Sequence, residues 1–142
     1  MAMFNRVEYK DLKARQQEAF NFQKVSAVLA DYGFVTIRLS SDWGGADFIA
    51  QHLDGITFLK VQLKGRLTFD KKYLKHDLYI CFRNDGKWFL YPHDELLDKV
   101  DAENGFRKTK SWKDKGIFHY PRIPRNLRHF LEPYRLTEGN EI

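Results

Sequence analysis

The strongest constraint on this fold lies in the stretch GGADFIAQHLDGITFLKVQLKGR, from Gly44 to Arg66. Asp54-Gly55 divides two apolar runs, and both residues tolerate the positive φ that a two-residue hairpin turn demands. With Leu53 and Ile56 flanking that turn, His52 faces Thr57, Ala50 faces Leu59, Phe48 faces Val61 and Asp47 faces Gln62. Directly opposed side chains share a face, with Cβ atoms about 4.5–5.5 Å apart. Strand alternation then puts Lys64 on the same face, diagonal to Asp47 at about 7–8 Å. Leu59, Val61 and Leu63 make the opposite, apolar face. A carboxylate, an amide oxygen and an ammonium group so placed suit a divalent metal and an activated water. Register carries the whole argument, because a loop of three or five residues would slip the pairing and send Asp47 to the other face.

Around this hairpin the chain reads as one α/β domain over residues 1–135 with a frayed tail at 136–142. A long amphipathic helix is predicted at about 11–32, with Gly33 as its C-cap. Glu18, Phe22, Val25, Leu29 and Tyr32 fall on one stripe, so Glu18 is an acid at the edge of a core-facing surface. A strand follows at 34–39, then a turn-rich segment at 40–45. Residues 66–76 read as a polar, basic connection with room for one helical turn. Strands near 77–82 and 87–91 meet at Asn84-Asp85-Gly86, a second hairpin-like turn. A short helix is predicted at 94–100 with Leu96, Leu97 and Val100 inward. Residues 103–124 read as loop-rich and basic, and a last helix is expected at 125–134. That helix and the aromatic-basic segment at 105–124 are candidates for a dimer contact or a nucleic-acid clamp.

Composition narrows the function classes. At 142 residues and 43% hydrophobic, the chain is long enough for one real core. It holds no apolar run of membrane-spanning length and no signal-like N-terminus, so the cytoplasm is the expected location. Cys81 stands alone within an apolar run, and the five histidines lack ligand-like spacing. Disulfide frameworks and dedicated zinc centres are therefore set aside. The net charge is +5. Positive residues cluster after the hairpin and again from Arg107 to Arg128, which favours a polyanionic partner, with a solvated surface on a mildly basic protein as the alternative. Tyr73, Trp88, Phe89 and Tyr91 are expected in the core. Trp43, at a turn beside the hairpin face, is a candidate lid or base contact.

Helix with an internal Glu, strand, then a hairpin carrying Asp…Gln-x-Lys: this order resembles the PD-(D/E)xK nuclease superfamily over residues 8–91. The matching positions are Glu18, Asp47 and Gln62-Leu63-Lys64. The segment from Lys60 to Leu97 also looks like an uncharacterised bacterial branch of it. The resemblance implies a restriction-endonuclease-like core, with an N-terminal helix, then a mixed central sheet with flanking helices. It implies cleavage of DNA with magnesium or manganese, one ion rather than two, and a homodimer. Asp47 would be the central metal ligand, joined by the Gln62 side-chain oxygen, the Leu63 carbonyl and Glu18, while Lys64 supports the attacking water. Trp43, Arg66, Lys71, Lys72 and Lys75 would touch the nucleic acid. Gln62 stands where the family usually has an acid, and the crossover at 65–76 is short for a full helix. A decayed, purely binding domain on this fold and a protein-interaction module stay open as alternatives. So does RNA, since no 2′-hydroxyl code is legible.

Overall fold

A computed structural model describes residues 1–138. The expected class is what the chain adopts: an N-terminal helix, a mixed central sheet and flanking helices. After a 3₁₀ turn at Tyr9–Asp11, helix α1 spans Ala14–Ala30. It starts later than the predicted residue 11, at a point where the Lys13 N–H donates to Gln16 Oε1 at 2.9 Å. Its stripe packs Phe22, Val25, Val28 and Leu29 onto the sheet. The stripe ends short of Tyr32, which is exposed and accepts the Thr137 N–H at 2.6 Å.

Strands β1 (Phe34–Trp43), β2 (Ala46–His52) and β3 (Phe58–Lys64) form an antiparallel meander. Two predicted turns change character. The segment at 40–45 continues β1 as far as Trp43, and the tight turn is Gly44-Gly45, with φ of 61° and 90°. The Asp54-Gly55 turn is longer than two residues. His52 N–H donates to Thr57 O at 2.9 Å, so Leu53 through Ile56 all lie in the loop. Asp54 holds that loop by accepting from the Ile56 and Thr57 amides and the Thr57 hydroxyl. Those bonds pull its carboxyl down to about 2. An even loop preserves the phase, and the observed pairs Ala50–Leu59 and Phe48–Val61 are those predicted.

Strand β3 pairs in parallel with β5 (Leu78–Asn84), which turns at Asp85-Gly86 into β6 (Lys87–Pro92). The crossover between β3 and β5 keeps the exposed basic residues and the single helical turn expected of it, but it also holds a buried strand. Residues Leu67–Asp70 form strand β4, every one of them buried, followed by a 3₁₀ turn at Lys71–Tyr73. One edge of β4 pairs with β7 (Ile117–Tyr120). Side chains from β6 and the residue after it serve β4's other backbone groups. Tyr91 Oη accepts the Thr68 N–H and donates to the Thr68 carbonyl, while His93 Nε2 accepts the Asp70 N–H at 3.0 Å. Burial pushes the Tyr91 hydroxyl well above its ordinary range, so it stays protonated to make both bonds.

Helix α2 (His93–Asn104) ends on Gly105 in the left-handed conformation. The predicted loop at 103–124 instead holds a 3₁₀ turn, helix α3 (Lys110–Lys115) and β7. Its aromatics point inward: Trp112 is buried, and Phe118 and Tyr120 pack on the core with Phe106. Helix α4 (Arg128–Leu131), flanked by 3₁₀ turns, buries Leu127 and Leu131 in the same core. Order continues past residue 135, because Arg135–Leu136 forms strand β8 against β6. Of the expected tail, residues 139–142 lie outside those described. Tyr73, Trp88, Phe89 and Tyr91 are core residues, as expected. Cys81 is fully buried too, and burial drives its thiol far above the usual range, leaving it inert.

Candidate active site

The main cleft opens where β2 begins and β3 and β5 end, and its volume is about 830 Å³. Two parallel strands therefore deliver their carboxyl ends to one concavity, where ligands of open α/β sheets characteristically bind. Glu18 to Phe22, about one turn into α1, form the facing wall. Tyr9 extends that wall: its ring lies 5.3 Å from Phe20, and its hydroxyl accepts from Asn21 Nδ2 at 2.9 Å.

Glu18, Asp47, Gln62, Leu63 and Lys64 all line this cleft. Asp47 is half-buried at the start of β2. The β1–β2 ladder passes over it, with pairs stopping at Arg38–Phe48 and resuming at Trp43–Ala46. Such a bulge locally bends a strand away and is common beside functional sites. On the other side, continuing the β2–β3 register by one residue sets Gln62 opposite Asp47. The carboxylate meets the backbone there, with Leu63 N–H donating to Asp47 Oδ2 at 2.9 Å. Gln62 Nε2 in turn donates to the Leu63 carbonyl at 3.3 Å. The Lys64 ammonium lies 5.5 Å from the centroid of the Tyr73 ring, a cation–π seat that holds it near the end of β3. Glu18 is exposed on the helix wall.

The predicted nucleic-acid contacts lie elsewhere. Arg66, Lys71, Lys72 and Lys75 are exposed along the β3–β5 crossover, outside the cleft lining. Trp43 pairs with Ala46 through its backbone, and its side chain falls outside the described residues. Three cleft residues escaped the sequence reading. Arg38 sits on the last regular pair before the β1 bulge, its guanidinium 5.6 Å from the Phe22 ring. Arg83, beside Trp88 at 5.4 Å, and Asp85 belong to the β5–β6 hairpin. Arg38 needed the bulge to be visible, while the Asn84-Asp85-Gly86 turn was legible without any sign that it reached the site.

Among the described residues, no three His, Cys, Asp or Glu side chains gather closely enough to hold a metal by themselves. What the candidate ligands provide is an all-oxygen set: the Asp47 and Glu18 carboxylates, the Gln62 amide oxygen and the Leu63 carbonyl. Such hard donors fit a magnesium or manganese ion that keeps several waters, and do not fit zinc. The Gln62–Leu63 hydrogen bond uses only Gln62 Nε2, so Oε1 and the second lone pair of the Leu63 carbonyl remain available as ligands.

Comparison with known proteins gives little at the sequence level: no family model matches the chain, and no curated protein matches it. Solved structures do resemble it. One is Hjc, a Holliday junction resolvase from the archaeal hyperthermophile Archaeoglobus fulgidus, with 20% identity and a TM-score of 0.43 over 52% of this chain and 76% of that one. Another is the bacterial homing endonuclease I-Ssp6803I, with 14% identity and a TM-score of 0.45 over 87% of this chain and 88% of that one. Among the described residues, no helix is long and apolar enough to cross a membrane.

Proposed function

We propose that this chain is a metal-dependent nuclease that hydrolyses phosphodiester bonds in DNA. The observation that carries the reading is the convergence of Glu18, Asp47, Gln62, Leu63 and Lys64 on one cleft at the ends of two parallel strands. Asp47 and Glu18 would hold one divalent ion, assisted by the Gln62 and Leu63 oxygens. When bound, that ion supplies Lewis-acid polarisation of the phosphoryl oxygen and lowers the pKa of a water. Lys64, seated over Tyr73, orients the attacking water and offsets the negative charge that builds at phosphorus. Arg38 and Arg83 flank the scissile phosphate. Because one cleft addresses one strand, a homodimer belongs to this reading for cutting duplexes.

A second reading is favoured by one specific contact. The Gln62 amide is engaged with the Leu63 carbonyl, and Gln62 contributes no charge, which suits a domain that binds nucleic acid without cutting it. A cleavage assay on plasmid, linear, single-stranded and branched DNA with magnesium or manganese separates the two, with RNA as a further substrate. The nuclease reading expects cutting that both EDTA and Asp47→Ala abolish. Salt-sensitive binding that EDTA leaves unchanged, with no cutting, would replace it by the binding-only reading.

A further inference from the structure

A second concavity, of about 540 Å³, lies outside the cleft between the crossover and α3. Lys71, Lys72, Lys113 and Lys115 border it, all exposed, against two acids, Asp70 and Asp114. Two of these lysines are held rather than free to wander. The Lys71 N–H donates to Gly116 O at 2.7 Å, and its ammonium rests 5.5 Å from the Trp112 ring centroid. Its stem packs so closely that a Cβ on Gly116 would meet it at 3.0 Å. The Lys72 ammonium lies 5.2 Å from the Tyr73 ring and 3.9 Å from the Asp70 carboxylate.

Tyr73 joins the two concavities. The same ring carries Lys72 and, at 5.5 Å, Lys64 of the cleft. A line of ammonium groups thus runs from the cleft across Tyr73 to Lys72, Lys71 and the α3 lysines. The α3 helix dipole accounts for Lys113 and Lys115 in its last turn, but not for Lys71 and Lys72, which reach the groove from the crossover. Holding like charges together costs energy, which a row of phosphates would recover by releasing counterions. A single small anion would satisfy only part of such an extended, open row.

We propose that the groove bordered by Lys71, Lys72, Lys113 and Lys115 holds the phosphate backbone of the nucleic acid to one side of the cleft, as a track continuous with it through Tyr73. This rests on the nuclease reading and adds where the flanking substrate lies. The test is equilibrium binding of labelled DNA duplexes in EDTA across a salt series. One duplex is just long enough to fill the cleft, and the other extends well beyond it. For the long duplex, Lys113→Ala/Lys115→Ala should lower the slope of log affinity against log salt by about 2. The short duplex should be unaffected, as should its cleavage rate in magnesium. Lys113→Gln/Lys115→Gln, which keeps the polar stems, should behave alike, and circular dichroism should report an unchanged fold. A charge-matched control, Lys99→Ala/Arg128→Ala, should leave the long-duplex slope at its wild-type value. If the wild type binds and cuts but the α3 variants keep its slope, or the control pair lowers the slope equally, the track is wrong and the nuclease reading survives. If the wild type shows no salt-dependent binding to either duplex, both fall together.

Discussion

The two halves of this molecule are built in opposite ways. In the first, α1 and the β1–β3 meander join neighbours in sequence, and α1 covers only one face of the sheet. The other face carries Asp47, Gln62 and Lys64 at one end, while Val35 and Phe58 toward the other are more than half exposed. In the second half, β4, β7, α2 and α3 bury the matching face of β5 and β6 beneath a continuous aromatic cluster. Phe69 touches Tyr91 and Phe106, and Phe106 touches Trp112 and Phe118. The proposed chemistry needs a sheet face that water and substrate can reach, whereas stability needs one that they cannot. This chain separates the two demands along one sheet.

The separation is broken most directly at Phe106, which is buried in the aromatic cluster. Phe106→Ala should cost about 3–5 kcal/mol of stability. Denaturant unfolding measures that loss, while the cleavage rate per folded molecule stays near wild type. A variant that kept its stability but lost its activity would overturn the division of labour. The reciprocal change is Lys64→Ala. It should lower cleavage by about a hundred- to a thousandfold, in the range of a lost charge-stabilising donor. Melting temperature and DNA binding should hold, and retained cutting would remove Lys64 from the mechanism.

The first half was also the more legible in the sequence. Alternating apolar residues, rather than the turn, set the phase of the β2–β3 pair, so the predicted pairing survived a loop two residues longer than expected. Phe22, Val25 and Leu29 announced the buried stripe of α1, and Glu18 lay on its extension. Strand β4 gave a weaker signal. Leu67, Thr68, Phe69 and Asp70 alternate apolar and polar, but only over four residues that run into Lys71-Lys72, and their strand partner lies far along the chain at Ile117–Tyr120. Trp112, Phe118 and Tyr120 looked like surface aromatics among lysines because the core they enter is closed by that same distant pairing. Arg38 and Arg83 were hidden for a related reason: a bulge and a neighbouring hairpin, not local spacing, bring them to the cleft.

His93 is where the two halves are coupled, and it yields the smallest and sharpest effect. Its ring is buried between the Phe69 and Tyr73 rings. Nε2 accepts the Asp70 N–H, so the proton of the neutral ring must sit on Nδ1, which donates to Asp94 Oδ1 at 2.8 Å. Asp94 Oδ2 then accepts the Lys75 N–H at 2.9 Å. Together these bonds clamp both ends of the turn that carries Tyr73, the seat of Lys64. Desolvation lowers the His93 pKa below its ordinary 6.5, against the opposing pull of Asp94 and Asp70. The folded state therefore resists a proton that the unfolded chain accepts. This contribution to stability is complete above pH 6.5 and is lost as pH falls through the folded-state value, with the slope of a single proton. His93→Gln can still accept the Asp70 N–H but cannot titrate, so its stability should change less over that window. Cleavage should fall with acid in the wild type before global unfolding, as the turn releases Tyr73 and Lys64 loses its seat. Identical pH profiles for wild type and His93→Gln would mean that the clamp does not reach the cleft, and that the two halves are as independent in function as they are in construction.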